Sequence, residues 1–320
     1  MTGSVLVYSM GEVIGDGLIK LPFVAGLRAA FPQAHIAWCA AKGPTVYAGP
    51  LKGVVEGLVD EVLAEGPTGA GPLDWLPWVR PFGGRTFDLV IDTQENLRRS
   101  LVARRAAGRF VSAAAGLRPE PWPEAVVDRL AALLKEAAGP EASLRPLKLA
   151  NPRAAQAADA LLPFGAVYVG FAPGAGGQEK RWPLASYIAL AGEQARRGRT
   201  PVFFFGPDEA ADAAITRAAL PNALYPEADR TDDFTDVKGP LLVIALAARL
   251  AAAVANDAGP GHMLAAGGAP LVSLQKDRRK AVKFRPAARR LELVVAEDYG
   301  SAMDALPIAA AQDALERLLA

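Results

Sequence analysis

Two carboxylates, Glu12 and Asp16, stand four residues apart just after the apolar run Val5–Tyr8, and Gly15 and Gly17 flank the second. A carboxylate at a strand exit can take the proton from a hydroxyl nucleophile, provided the substrate comes within hydrogen-bond reach. The flanking glycines let the backbone turn and leave room for a substrate. Farther along, FAPGAGGQEKRWP (Phe171–Pro183) leaves an apolar run through Gly174, Gly176 and Gly177, then sets Lys180 and Arg181 before Pro183. Glycines let backbone amides approach an anion, and a lysine ahead of a helix N-terminus adds positive potential. That chemistry suits a phosphate or diphosphate; a tight turn with solvated charges is the competing reading. The stretch is not a dinucleotide fingerprint, since Glu179 holds the third glycine position, and it lacks the Lys-Ser/Thr ending of a P-loop.

VANDAGPGHMLAAGGAP (Val254–Pro270) offers a second anion site of the same kind. Asn256 and Asp257 end a short strand, Gly259-Pro260-Gly261 opens a helix with His262 in its first turn, and Gly267-Gly268 closes it. Asp257 either caps that helix or binds a sugar or ribose hydroxyl. In FFFGPDE, Asp208 and Glu209 either complement a helix dipole or accept hydrogen bonds from a ribose or base. In Asp92–Arg105, Arg98 and Arg105 share a helical face with Arg99 beside it: a solvated basic face, or a pair of forks for an anionic acceptor. No Asp-x-Asp stands at a strand end to bridge a diphosphate through a metal, and Asp232-Asp233 falls in a polar loop, so no metal site is expected.

The elements that must position these residues alternate. Apolar, β-branched runs at Ser4–Tyr8, His35–Cys39, Val59–Leu63, Phe87–Ile91 and Arg109–Ser112 are separated by segments such as the helical Leu18–Ala30. The second half repeats the pattern: strands at Val167–Ala172, Pro201–Phe205, Val254–Asn256, Leu271–Leu274 and Leu291–Val295, and helices at Ala185–Arg197, Ala210–Ala219, Pro240–Ala251 and Pro260–Ala266. Strand–helix–strand repetition predicts parallel sheets covered on both faces, an α/β fold built twice. The seam falls near Pro146–Pro152, which predicts domains over 1–150 and 151–306, with a last helix in 307–320 crossing back to the first lobe. Gly66–Gly84 is a long loop with Trp75 and Trp78, expected to be functional; packing onto its own sheet is the plainer alternative.

The chain has 320 residues, a net charge of +1 and a single cysteine, Cys39. No global field draws it to nucleic acid or anionic lipid, and no intrachain disulfide or cysteine zinc cluster can form. The N-terminus lacks a basic, apolar leader, and Leu241–Ala255 is short and broken by Arg249, so a cytoplasmic protein is expected.

Four stretches together resemble glycosyltransferase family 9, the ADP-heptose:lipopolysaccharide heptosyltransferases. They are IGDGLIKLPFVAGLRAAFPQAHI from Ile14, FDLVIDTQENLRRSLVA from Phe87, PGAGGQEKRWPLASYIALA from Pro173 with GPDE from Gly206, and NDAGPGHMLAAGGAPLVSL from Asn256. The resemblance implies a GT-B fold, two Rossmann-like lobes facing across a cleft. It further implies an inverting, metal-independent bacterial glycosyltransferase with no cofactor, moving heptose from an ADP-sugar to a lipopolysaccharide-type acceptor. Asp16 falls on the family's general base, its spacing to Pro22 favouring it over Glu12. Lys180, with Gly174 and Gly176, falls on the donor phosphates, Glu209 on the adenosine, and Asp257, Gly259, Gly261 and His262 on the donor diphosphate block. Gln94 and Arg98 fall in the acceptor motif. The implied acceptor is a lipid-linked or anionic glycan, with peripheral contact at the inner membrane and no nucleic-acid partner; whether the basic Lys276–Arg290 stretch meets that acceptor at the membrane face is a question the sequence leaves open. The chain departs from the family at Glu12, Gly17 and Glu95, and at QKDRRKAVKFRP after Leu274. The alternatives are another nucleotide-sugar enzyme of this fold, an epimerase or a UDP-sugar transferase, and a nucleotide-sugar-binding homologue without turnover.

Overall fold

The computed structural model describes residues 2–9, 12, 14–41, 45–63, 71–114, 122–229 and 232–320. Of the loop 66–84, residues 66–70 lie outside that set. The chain divides into two compact units, Met1–Arg145 and Pro146–Ala320.

In the first unit, β1 (Ser4–Ser9), β2 (His35–Ala40), β3 (Glu61–Leu63), β4 (Phe87–Asp92) and β5 (Ala107–Ser112) form a parallel sheet ordered β3-β2-β1-β4-β5. Its helices are α1 (Ile14–Ala30), α2 (Leu97–Arg104) and α3 (Val126–Ala138). β1 and β2 are buried almost throughout, as strands covered on both faces must be. α1 begins four residues earlier than the apolar pattern predicts, so Asp16 lies in its first turn. There it complements the helix dipole. A Cβ on Gly17 would stand 2.3 Å from Val46 Cγ2, so glycine is needed where α1 crosses the 45–51 segment. The Tyr47 hydroxyl donates to the Gly17 carbonyl at 2.8 Å. The helix expected within 92–105 starts only at Leu97, because Asn96 caps it by accepting from the Arg99 amide.

The second unit holds α4 (Pro152–Leu161), β6 (Tyr168–Ala172), α5 (Leu184–Arg196), β7 (Thr200–Phe203), α6 (Ala210–Ala219) and α7 (Pro240–Ala247). These are followed by β8 (Leu250–Asn256), α8 (Gly259–Ala266), β9 (Leu271–Gln275), α9 (Arg278–Lys283), β10 (Leu291–Val295) and α10 (Ile308–Leu319). The parallel sheet is ordered β10-β9-β8-β6-β7, and Leu224 extends it past β7 by a bridge to Val202. Side chains alternate between two cores with the period of a strand. Tyr168 and Ala172 join Ala253, Ala255 and Leu271 on one face, while Val169 and Phe171 join Ala252, Val254 and Val272 on the other. The helix expected over Pro240–Ala251 stops at Ala247, because an alanine-rich apolar run reads alike as buried helix or strand.

The expectation that residues 307–320 cross to the first lobe is corrected by the packing of α10. Ala311, Ala314, Leu315 and Leu318 are buried with Val254, Val272, Leu274 and Val294. Glu316 accepts from Arg199 Nη1 at 2.7 Å and Nη2 at 2.9 Å, which ties the helix to the start of β7. The physical reason is that this face of β8–β10 needs a helical cover, and the apolar stripe of α10 supplies it.

Candidate active site

Each sheet reverses its strand order once, between β1 and β4 in the first unit and between β6 and β8 in the second. Ligands of open α/β sheets bind beyond the carboxyl ends of strands at such points. The residues singled out by sequence lie just there.

In the second unit the chain leaves β6 through Pro173–Gly177 and leaves β8 through Asn256 and Asp257. Asn256 joins the two exits: its Nδ2 donates to the Pro173 carbonyl at 2.6 Å, and its Oδ1 accepts from the Trp182 amide at 3.2 Å. Arg181 holds the glycine-rich turn from the other side, donating through Nε and Nη2 to the Ala175 carbonyl at 3.1 Å each. On this frame Lys180 Nζ donates to Asp257 Oδ2 at 3.1 Å. Asp257 is therefore not a helix cap: α8 has Ala258 at its N-cap and no side-chain capping bond. Lys180 remains about one-third exposed, so its ammonium can also reach a ligand.

Gly174 is buried, and a Cβ there would fall 1.9 Å from Glu209 Oε1; only glycine admits that carboxylate. Glu209 Oε2 accepts from the Gly206 amide at 2.8 Å, and Arg181 Nη2 lies 3.7 Å from Oε1. Gly176 is exposed with open space around it. Gly259 starts α8, and Gly261 is buried against the Asn256 carbonyl, where a Cβ would stand 3.2 Å away. His262 is buried in the first turn of α8, and among the described residues its Nδ1 has no hydrogen-bond partner. Burial lowers its pKa to about 4, against the opposing pull of Asp257 and with a further contribution from Lys180. The imidazole is neutral at pH 7.

In the first unit the two opening carboxylates have different fates. Glu12 is buried: its Oε1 accepts from Ser9 Oγ at 2.8 Å and Lys20 Nζ at 2.9 Å, and its Oε2 from Thr45 Oγ1 at 2.5 Å. Asp16 is exposed and has no hydrogen-bond or ion-pair partner among the described residues. Beside them, at the end of β4, Gln94 is buried, and both ends of its amide are committed. Its Oε1 accepts from the Asn96 amide at 2.8 Å, and its Nε2 donates to Ser100 Oγ at 2.8 Å and the Asn96 carbonyl at 3.1 Å. Gln94 thus holds the 92–100 turn. Arg98, on α2, is exposed and without a partner among the described residues.

The sequence matches the profile of glycosyltransferase family 9 (heptosyltransferase) over residues 77–305. The chain belongs to glycosyltransferase family 9. Among solved structures, a family 9 glycosyltransferase from Veillonella parvula is 19% identical, covers 99% of this chain and 97% of its own, and superposes with a TM-score of 0.67. The E. coli ADP-heptose lipopolysaccharide heptosyltransferase II is 19% identical over 99% of this chain and 98% of its own, with a TM-score of 0.63. E. coli heptosyltransferase WaaC with ADP is 18% identical over 98% and 99%, with a TM-score of 0.64. No curated protein sequence matches the chain. The transferase has the GT-B fold of these structures, two parallel five-stranded sheets with helices.

Sequence reasoning missed several residues that frame the candidate sites. Asp92 is buried at the end of β4 and accepts from Ser100 Oγ at 2.5 Å, Ser112 Oγ at 2.7 Å and the Gln94 amide at 3.2 Å. Burial raises its pKa to about 6, against the lowering effect of those bonds. The Asx-like spacing of Asp92 and Gln94 was its one visible signal. The tethering role of Asn256 depends on Pro173, 83 residues away, and leaves no local pattern. The basic stretch 276–290 is partly neutralised within its own unit: Arg278 pairs with Asp298, and Lys280 lies 3.5 Å from Asp277. No helix of the described residues is long and apolar enough to cross a membrane.

Proposed function

We propose that this family 9 enzyme transfers a heptosyl group from an ADP-sugar to a lipopolysaccharide-type, lipid-linked acceptor with inversion and without a metal. The observation that carries the reading is the Lys180–Asp257 pair, set between the glycine-rich turn after β6 and the first turn of α8 at the switch point of the second sheet. Diphosphate is the anion this arrangement suits. Lys180 supplies the mobile charge, and the amides around Gly174, Gly176, Gly259 and Gly261 supply fixed donors. Glu209, held against Gly174, faces the ribose of the nucleoside. Asp257 orients Lys180 and accepts from a sugar hydroxyl. His262, neutral at pH 7, packs the base of the site. The donor sugar and acceptor are proposed from structural relatives, one an ADP-heptose lipopolysaccharide heptosyltransferase and another solved with ADP.

Transfer breaks the bond from the anomeric carbon to the diphosphate oxygen and forms one to an acceptor oxygen. The acceptor proton goes to the Asp16 carboxylate, and the electron pair of the broken bond leaves on ADP, whose new charge Lys180 and the α8 amides stabilise. Asp16 suits the base because it is exposed and uncommitted, whereas Glu12 is held by three donors. Arg98 contacts an anionic group of the acceptor, and Gln94 positions it by holding the turn before α2. The donor assignment is tested by calorimetry with ADP, UDP and GDP. ADP is expected to bind best, and Lys180→Ala to weaken it by about 1.5–3 kcal/mol, the range for a charge-assisted hydrogen bond. Equal affinity for the three nucleotides, or an unchanged ADP affinity in the variant, would remove the assignment.

A further inference from the structure

Glu12 is a buried carboxylate that the proposed transfer leaves unused. Its side chain has no solvent exposure, and that of Lys20 is 11% exposed. A glutamate is almost never fully buried unless it is paired. Here the partner is Lys20, whose Nζ donates to Glu12 Oε1 at 2.9 Å. Ser9 Oγ closes a triangle with the pair: it accepts from Lys20 Nζ at 2.6 Å and donates to the same Oε1 at 2.8 Å. Thr45 Oγ1 donates to Oε2 at 2.5 Å. The Lys20 ammonium also lies 5.8 Å from the centre of the Trp38 ring, whose π face attracts a cation. The end of β1, the helix α1 and the segment that follows β2 thus meet on one carboxylate.

The other titratable groups beside Glu12 carry no charge. Burial, with Glu12 adding to it, pushes the Cys39 thiol up to about 12 and the Tyr47 hydroxyl well above its ordinary value. Among the described residues Lys20 is therefore the one cation bonded to Glu12. A second carboxylate lies within reach of that cation. Asp16 and Lys20 are four residues apart on α1, the spacing at which an acid N-terminal to a lysine pairs with it. Asp16 is nevertheless exposed and unpaired among the described residues, and the lysine is turned to Glu12. Two carboxylates compete for one ammonium, and Ser9 and Trp38 favour Glu12 by holding the ammonium on its side. The outcome matters for proton transfer, because an ammonium paired with a carboxylate favours its ionised form and makes it a poorer proton acceptor.

We propose that Glu12 is a positioning residue for the transfer: by holding Lys20 it keeps that ammonium off Asp16 and leaves the Asp16 carboxylate free to take the acceptor's proton, a role that rests on Asp16 being the base. Glu12 itself touches neither substrate. It acts through Lys20, and the effect of removing it is reversed by removing the lysine as well.

Glu12→Gln keeps an oxygen for Ser9 and Thr45 while removing the charge that holds Lys20. Single-turnover transfer by this variant is expected to slow at least about tenfold, as Lys20 turns to Asp16. Glu12→Gln/Lys20→Met is expected to return to within about threefold of the wild-type rate, because no ammonium is left to pair with the base. A merely structural role predicts the reverse order, with the second substitution adding to the first. The double variant leaves no buried charge without a partner, so it carries the test even where the single variant is unstable. ADP affinity is expected to be unchanged in both. A crystal structure of Glu12→Gln is expected to show Lys20 Nζ within about 4 Å of the Asp16 carboxylate. A wild-type rate in Glu12→Gln, a double variant as slow as the single one, or Lys20 still resting on Ser9 and Trp38 in that crystal structure would overturn the proposal. Asp16→Asn separates the two assignments. Wild-type transfer in that variant removes the base and with it the role of Glu12, whereas slow transfer there beside wild-type transfer in Glu12→Gln removes the role of Glu12 alone.

Discussion

Lys180 and Asp257 lie 77 residues apart in sequence and 3.1 Å apart in space, and each was readable only as half of a motif. What the sequence could show was chemistry at strand ends: a lysine after glycines, an aspartate after a buried strand. It could not show that Asp257 grips Lys180 instead of capping α8, nor that Glu12 would be buried among Ser9, Lys20 and Thr45 while Asp16 stayed in water. Burial and long-range pairing decide those outcomes, and neither has a local signature. Gly174 shows the same limit. Its place in a glycine-rich turn after β6 was legible, yet its steric requirement comes from Glu209, 1.9 Å from where a Cβ would sit. Gly174→Ala is therefore expected to push Glu209 from its place and to weaken ADP binding by at least about tenfold. Circular dichroism should stay unchanged, because the overlap is with the end of a flexible side chain and not with backbone. Wild-type ADP affinity in that variant would show that Glu209 has no part in donor binding.

At the scale of elements, the strands were the legible part. β10 is found at the residues its apolar run predicts, and β1, β2, β4 and β9 within one residue, because a run buried on both faces is conspicuous. Helix ends were less so: α1 begins at Ile14, and α7 gives way to β8 after two residues, where composition alone cannot separate helix from strand. The destination of α10 was misread, since an amphipathic helix does not declare which sheet it covers. Here it covers β8, β9 and β10. Leu315→Ala, a fully buried position on α10, is expected to destabilise the second unit by about 2–5 kcal/mol. The first unit's transition should stay in place, as differential scanning calorimetry with the isolated transitions resolved would report. A shift of both transitions by equal amounts would contradict the assignment of this helix to one unit.

Across the whole molecule the two units carry buried titratable groups of opposite sign. His262 titrates at about 4 in the folded second unit against an ordinary 6.5. Between those values the unfolded chain takes up a proton that the folded unit refuses, so stability falls as pH drops through that window. Asp92 titrates at about 6 in the folded first unit against an ordinary 3.8. Between those values the folded unit keeps a proton that the unfolded chain has lost, so its contribution falls as pH rises. A group whose affinity for its proton changes tenfold on folding contributes about 1.4 kcal/mol. His262→Asn is expected to flatten the acid-side loss of the second unit between pH 6.5 and 4, and Asp92→Asn to flatten the opposite slope of the first between pH 3.8 and 6. Melting temperatures recorded against pH for the two variants check both signs, and parallel curves for wild type and variants would contradict them.

The division of labour between the units is tested most directly by one measurement: single-turnover sugar transfer by Asp16→Asn, with ADP affinity determined on the same sample. The account predicts transfer slowed by at least about a hundredfold, the usual contribution of a general base, with ADP affinity unchanged. Transfer at the wild-type rate would contradict it, because the acceptor proton would then be leaving by another route.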